Sequence, residues 1–183
     1  MAESALRIET LQFKPNGRVP NSRFPVLLYR EAVTAAASVD LADAIEETFR
    51  RHDWLNNWRE LGVYDYYHFH STSHEVLGMA RGRITLGLGG NGGTVVELTA
   101  GDVLVLPAGT SHTRLDHSAD SHMVGGYPDG RDWDLMRDEN VTDAEARFAV
   151  KLIGSLPIPA HDPVTGEPMT LWRNAPRTYG IQF

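Results

Sequence analysis

The chain has 183 residues, 42% of them hydrophobic and 22% charged, which excludes a disordered or fibrous protein. With 17 Lys and Arg residues against 24 Asp and Glu residues, its net charge is −7, so we expect no nucleic-acid partner. It contains no cysteine, which excludes disulfides, thiol catalysis and thiolate metal sites.

Residues 1–60 are expected to form an N-terminal extension that packs on the outside of a larger unit. They contain one short apolar run, residues 24–29, and one amphipathic segment that predicts a helix with Asp40 as its N-cap. The apolar face of that helix comprises Leu41, Ala44, Ile45 and Phe49.

Residues 61–127 change to short apolar runs separated by glycine turns, which is typical of a small antiparallel barrel or sandwich. The predicted strands are 63–70, 75–81, 84–88, 94–98, 103–106, 112–115 and 122–124. We expect this region to be the barrel core of a single domain.

Residues 128–183 are predicted to form a C-terminal helix and an ordered tail. Thr142 and Glu145 match a capping box at the start of the helix, and Gly154 is placed to end it. The proline-rich residues 157–177 are expected to run over the barrel surface.

The first chemical signal is the pair His68 and His70, separated by one residue in an aromatic, strand-favouring run. Alternate strand residues share a face and lie about 7 Å apart, a spacing suited to two ligands of one ion. Two exposed histidines, or two that are hydrogen-bonded within the protein, are the alternative. Glu75 opens the next strand and can face the pair across a hairpin.

These residues resemble the two sequence motifs of the cupin superfamily. The first motif, G-x5-H-x-H-x4-E-x6-G, is matched at Gly62, His68, His70, Glu75 and Gly82. The second, G-x5-P-x-G-x2-H-x3-N, is matched at Gly101, Pro107, Gly109 and His112, with Asp116 at the usual Asn position. The whole chain resembles the small single-domain, YjlB-like cupins of bacteria.

The resemblance implies a mainly β protein with a single cupin-type antiparallel β-barrel, a double-stranded β-helix or jelly roll, and flanking α-helices. It also implies a homodimer, and a divalent metal ion bound by His68, His70, Glu75 and His112 at the barrel mouth. Ligands without sulfur suit Fe, Mn, Ni, Co or Zn, and the sequence does not choose among them.

The next set of candidates follows from strand parity. His74 is expected to face away from Glu75 or to cap the turn, and so not to be a ligand. Tyr66 shares a face with His68, while Arg114 and Asp116 share one with His112, which makes these three the candidate catalytic residues. A structural pair of Arg114 with a nearby carboxylate such as Asp116 is an equal alternative.

Two more aromatic residues, Tyr127 and Trp133, are expected to serve packing at the barrel end rather than to clamp a substrate.

Two functions are compatible with this pattern. The first is a metal-dependent enzyme of dioxygenase, isomerase or lyase type that acts on a small oxygenated metabolite, including anionic ones. The second is a non-catalytic, metal-dependent module that binds a small molecule or sugar. An empty barrel retained for protein interaction is a third alternative. No apolar run is long enough to span a membrane and no signal peptide is recognised, so we expect a cytoplasmic protein without a membrane partner.

Overall fold

The computed structural model describes residues 6–176, in which eleven strands form two antiparallel sheets. The strands are β1 (Arg7–Leu11), β2 (Val26–Arg30), β3 (Trp54–Glu60), β4 (His68–Phe69), β5 (Glu75–Arg81), β6 (Arg83–Leu88), β7 (Thr94–Thr99), β8 (Val103–Leu106), β9 (His112–His117), β10 (His122–Pro128) and β11 (Met136–Arg137). One sheet has the order β1-β2-β8-β5-β10-β3 and the other β11-β4-β9-β6-β7. This is the predicted mainly β, cupin-type jelly roll.

The main core lies between the two sheets and is built by alternate residues of the strands. On β5, Leu77 and Met79 point into this core, and Leu86 and Leu88 meet them from β6. Because side chains alternate along a strand, this parity also directs Glu75 toward the inside of the barrel.

The outer face of the six-stranded sheet is buried as well. Val76 of β5 and Val105 of β8 pack under helix α1 (Leu41–Arg51), which presents Ile45 and Phe49 to the sheet. Trp172, in the short helix α3 (Thr170–Arg173), covers the same face. Burial on both faces explains why β2, β5 and β8 are almost continuously apolar rather than alternating.

The N-terminal residues build part of the sheet instead of lying only outside it. The apolar run at 24–29 becomes β2, which pairs with β8, and β3 pairs with β10 at the opposite side. The expectation of an external extension up to residue 60 is therefore wrong for these strands. Strand β3 was missed because its sequence, Trp-Leu-Asn-Asn-Trp, lacks an apolar alternation, and Asn56 has a positive φ of 53°.

The predicted helix ends are largely confirmed. Asp40 caps α1 by accepting a hydrogen bond from the Ala42 N–H, and Thr142 and Glu145 form the capping box of helix α2 (Asp143–Ser155). Helix α2 continues through Gly154, so the predicted stop there is wrong. Of the predicted strand at 63–70, only His68–Phe69 is regular strand.

No helix among residues 6–176 combines the length and apolar character needed to cross a membrane. The cytoplasmic location and the homodimer stay predictions.

Helix α1 packs closely on β5 because Gly78 has no side chain. A Cβ at Gly78 would lie 2.5 Å from Ile45 Cγ2 and 3.0 Å from Phe49 Cζ. We expect Gly78→Ala to lower the free energy of unfolding by about 1–3 kcal/mol, because the added methyl overpacks this contact. Urea denaturation followed by circular dichroism measures the change.

Gly154→Ala is the matched control, because a Cβ at this exposed position of α2 meets no atom within 4 Å. We expect it to raise the stability by about 0.5–1 kcal/mol through helix propensity. Equal effects of the two substitutions would contradict the close contact between α1 and β5.

Candidate functional site

Three strands bring the motif residues together at one end of the barrel. His68 on β4 is the ladder partner of His112, the first residue of β9. His70 follows β4, and Glu75 is the first residue of β5. The N–H of Gly109 donates to the His70 carbonyl over 2.8 Å, which ties the turn before His112 to the first motif.

His68, His70 and His112 form a buried cluster, called here the His triad. One ring nitrogen from each lies within 4.8 Å of the other two, an arrangement that could hold a metal ion. The rings of His68 and His112 are close, with centroids 4.2 Å apart. The structure thus brings together the three histidines that the sequence singled out.

Hydrogen bonds determine the tautomer of each triad imidazole. The Nδ1 of His68 lies 3.0 Å from the Tyr66 carbonyl, and that of His112 lies 3.0 Å from the Thr110 carbonyl. The Nδ1 of His70 bonds the Asp134 carbonyl. A carbonyl only accepts, so each Nδ1 carries the proton, and each neutral ring has its lone pair on Nε2.

Glu75 completes the cluster on the inner side. Its Oε2 lies 3.5 Å from His70 Nε2 and 3.4 Å from His112 Nε2. Among the described residues, neither Glu75 Oε2 nor His112 Nε2 has a hydrogen-bond partner, although both are buried. Buried acceptors that face one another are costly, and a cation between them would satisfy both. The donor set therefore fits a divalent ion.

Burial and neighbouring charges shift the pKa values of the ionisable groups in the site. Burial and the neighbouring His112 lower the pKa of His68 to about 2, so this ring stays neutral. Burial also acts to lower the pKa of His70, but the Glu75 charge outweighs it and the net shift is upward. For Glu75, burial acts upward, but His70 and His112 outweigh it and its pKa is lowered.

The other oxygen of Glu75 accepts a hydrogen bond from Tyr127, which is itself held by Trp58. The Tyr127 hydroxyl donates to Glu75 Oε1, and the Trp58 Nε1–H donates to the Tyr127 oxygen, each over 3.0 Å. Gly125 leaves room for the Trp58 ring, which a Cβ there would overlap. Burial raises the pKa of Tyr127, with Glu75 adding to the shift, so the hydroxyl remains a donor. Besides the expected packing at the barrel end, Tyr127 therefore has a polar contact with Glu75 that the sequence did not indicate.

Asp134 orients His70 and was not found from the sequence. Its carbonyl accepts from His70, while its carboxylate accepts hydrogen bonds from the N–H and the hydroxyl groups of Ser71 and Thr72. Burial acts to raise the pKa of Asp134, but these hydrogen bonds outweigh it and lower the pKa. Asp134 lies in an irregular segment, where no periodicity marks it.

A cavity of about 600 Å³ opens onto the His triad and Glu75. Aromatic and polar side chains line it, among them Trp58, Tyr64, Arg114, Tyr127 and Trp133. Trp133 stacks on Tyr127 with an interplanar angle of 24° and contacts His70 edge-on. Trp133 therefore packs at the barrel end, as expected, and this packing places it in the cavity wall beside His70.

Of the three candidate catalytic residues, the structure places only the Arg114 side chain in the cavity wall. The ring of Tyr66 stacks on Tyr64 and lies under the Arg137 guanidinium. Tyr66 contacts His68 twice, through an edge-on ring contact with centroids 5.6 Å apart and through the carbonyl that accepts from Nδ1.

Asp116 is exposed on the outside of the barrel, where it pairs with Arg83 over 2.8 Å. Its expected place beside His112 is wrong, because the register of β9 against β6 shifts between Arg114 and Asp116. For the same reason Arg114 does not pair with Asp116, and its nearest carboxylate is instead that of Asp65, whose Oδ2 lies 3.8 Å from Nη2.

His74 lies on the opposite face of the chain from Glu75, as parity predicts. It is not solvent-facing, because Phe24 and Trp172 cover its ring. Its Nδ1 accepts from the Ala108 N–H over 2.8 Å, so it does support the turn that leads to His112. Burial lowers its pKa to about 4.

No protein-family model matches the chain. Among solved structures, it is similar to dTDP-4-dehydrorhamnose 3,5-epimerase from Elizabethkingia anophelis NUHP1, with 10% identity, a TM-score of 0.42, and coverage of 69% of this chain and 76% of that one. It is also similar to acireductone dioxygenase from Bacillus anthracis with a cadmium ion in its active center, with 17% identity, a TM-score of 0.36, and coverage of 68% and 79%. Likeness at this level carries no information on activity.

A sequence relative is more informative. The chain is 36% identical over 160 residues to the uncharacterized protein YjlB of Bacillus subtilis (strain 168), which covers 87% of this chain and 91% of YjlB. With this identity, and with the two facing sheets and the buried His triad described above, the chain belongs to the YjlB-like cupin family.

Proposed function

We propose that the protein binds one divalent metal ion through His68, His70, Glu75 and His112 and acts as a metal-dependent enzyme on a small oxygenated metabolite. The observation that carries this proposal is the buried cluster of three histidines, in which the Nε2 atoms of His70 and His112 lie 3.5 and 3.4 Å from Glu75 Oε2. The Nδ1 atom of each histidine is hydrogen-bonded to a backbone carbonyl, which is the usual way in which proteins orient metal-binding histidines.

The chemistry of these ligands limits the metal and its substrate. Nitrogen and oxygen donors suit Fe, Mn, Ni, Co or Zn in their divalent states. Three neutral imidazoles and one carboxylate leave a dication with a formal charge of +1, which favours oxygen ligands that are anionic or can lose a proton. When bound, such an ion supplies Lewis acidity and, with Fe, redox chemistry.

The side chains around the His triad would bind and shield the substrate. The aromatic wall of Trp58, Tyr127 and Trp133 excludes water from one side of the cavity. Tyr127 keeps Glu75 in one orientation through its hydroxyl. Since Glu75 and the triad are all assigned to the ion, we do not assign a separate general acid or base.

The ligand set is tested by substitution. We expect His68→Ala, His70→Ala, His112→Ala and Glu75→Gln each to lower the metal content of the purified protein to near zero, because each removes one donor from a small set. Elemental analysis by mass spectrometry measures the metal, and thermal melting checks that each variant is folded.

The matched control is His122→Ala, which removes an imidazole outside the His triad. This variant should retain the metal content of the wild type. His74→Ala should also retain metal, although the loss of its contacts with Phe24 and Trp172 will lower stability. Full metal content in His112→Ala would rule out the assignment.

Metal affinity should fall as the pH is lowered from about 7 to about 5, because protons compete for the imidazoles. His70 is the main proton acceptor. Burial acts to lower its pKa, but the Glu75 charge outweighs burial and raises the pKa above the ordinary value, so His70 takes up a proton at a higher pH than an ordinary imidazole does. His68, with a pKa lowered to about 2, contributes no proton in this range. Competition with a chelator at each pH gives the affinity, and a flat profile would contradict a histidine site.

Turnover distinguishes an enzyme from a binding module. Metal-free protein would be reloaded with Fe(II), Mn(II), Ni(II), Co(II) or Zn(II) and incubated with hydroxy acids, keto acids, diketones and sugars, with and without O₂. We expect conversion that depends on the metal, with loss of activity in the His112→Ala variant. Tight binding without conversion for every metal would instead support the non-catalytic module.

A further inference from the structure

We infer that Arg114 anchors a carboxylate of the ligand, so that the ligand is a small carboxylic acid whose opposite end reaches the His triad. This inference deepens the proposed function and rests on it. The substrate class follows from Arg114 because no carboxylate of the described residues lies within hydrogen-bond distance of its guanidinium.

Arg114 stands on the same face of β9 as His112. The pairing of β9 with β6 is regular from His112 to Arg114, and both side chains line the cavity. Alternate residues of a strand lie about 7 Å apart, so the guanidinium and the His triad can contact the two ends of one small molecule. The backbone N–H of Arg114 donates to the Tyr64 carbonyl, which holds the strand in this position.

The guanidinium of Arg114 is partly buried and weakly paired. Its side chain is 21% exposed, and its nearest carboxylate oxygen, Asp65 Oδ2, lies 3.8 Å away. That separation exceeds a hydrogen bond, and Asp65 is 74% exposed, so solvent screens its charge. Within residues 6–176 the Arg114 side chain donates no hydrogen bond, which leaves its planar fork available for a carboxylate.

The other charges of the cavity favour a single negative charge on the ligand. Arg114 is the one Arg or Lys side chain among the described residues of the wall, whereas Glu60 and Asp65 are acidic residues of the same wall. Those two carboxylates disfavour a dianion such as a phosphate monoester, because like charges repel. A carboxylate carries one charge and matches the guanidinium with two parallel hydrogen bonds.

The wall beside the His triad is flat and aromatic. Tyr127 and Trp133 stack with ring centroids 6.0 Å apart, and the Trp133 ring lies 5.0 Å from that of His70. A planar or unsaturated carbon segment fits against such a surface. The ligand therefore has a carboxylate at one end, a flat middle, and oxygen donors for the metal at the other.

Two synthetic probes test the anchor directly. In 4-carboxybenzohydroxamic acid and 4-carbamoylbenzohydroxamic acid, a common hydroxamate chelates the metal, and the tails differ only in charge. Calorimetry with the Zn(II)-loaded protein gives both dissociation constants. We expect wild-type protein to bind the carboxylate probe about tenfold more tightly, and Arg114→Gln to bring the ratio close to one. Arg114→Lys should keep part of the preference, since it retains the charge but loses the fork.

Arg83→Gln is the control, because Arg83 is a more exposed arginine that pairs with Asp116 outside the cavity. Its probe ratio should equal that of the wild type, and elemental analysis should show unchanged metal in all these variants. A ratio near one in wild-type protein, or an unchanged ratio in Arg114→Gln, would overturn the anchor. Absence of bound metal would contradict the proposed function instead, and comparing the two tails in metal-free protein would still test Arg114.

Discussion

The chemistry of this protein depends on three backbone carbonyls that accept hydrogen bonds from imidazole Nδ1 atoms. The carbonyls belong to Tyr66, Thr110 and Asp134, and they come from three separate segments of the chain. Without them, each histidine could carry its proton on either nitrogen. With them, each ring of the His triad carries its proton on Nδ1 and its lone pair on Nε2, so the tautomers of the cluster are a property of the fold.

The six-stranded sheet supplies the rigidity that such a cluster needs. Its inner face forms the barrel core and its outer face is covered by α1 and α3, so β5 is held from both sides. Glu75 and His74 are neighbours at the start of this strand and serve opposite faces. Glu75 completes the His triad, while His74 fastens the Pro107–Gly109 turn through Ala108. The dipeptide His74-Glu75 thus connects the two motifs found in the sequence.

Local signals in the sequence predicted a small antiparallel barrel or sandwich, both long helices, and the pair His68 and His70. The resemblance to the cupin motifs added the jelly roll and His112. Parity along β5 was sufficient to separate Glu75 from His74. It failed for Asp116, because the register shift on β9 reverses the alternation after Arg114, and no residue pattern announced the shift. The contacts of Tyr127, Trp133 and Asp134 with Glu75, His70 and Ser71 could not be predicted, because they join residues that are far apart in the sequence.

The double contact of Asp134 connects the site with a part of the chain that lies outside the motifs. Its carbonyl holds His70 and its carboxylate holds the turn at Ser71 and Thr72, so the segment after β10 must be docked for His70 to have its orientation. Binding and docking are then thermodynamically linked. A ligand that binds more tightly when His70 is oriented stabilises the docked segment by the same free energy. A partner or substitution that destabilises the docked segment lowers the affinity for that ligand through the same linkage. A substitution in this segment would therefore change the orientation of His70 without a change in any residue of the His triad.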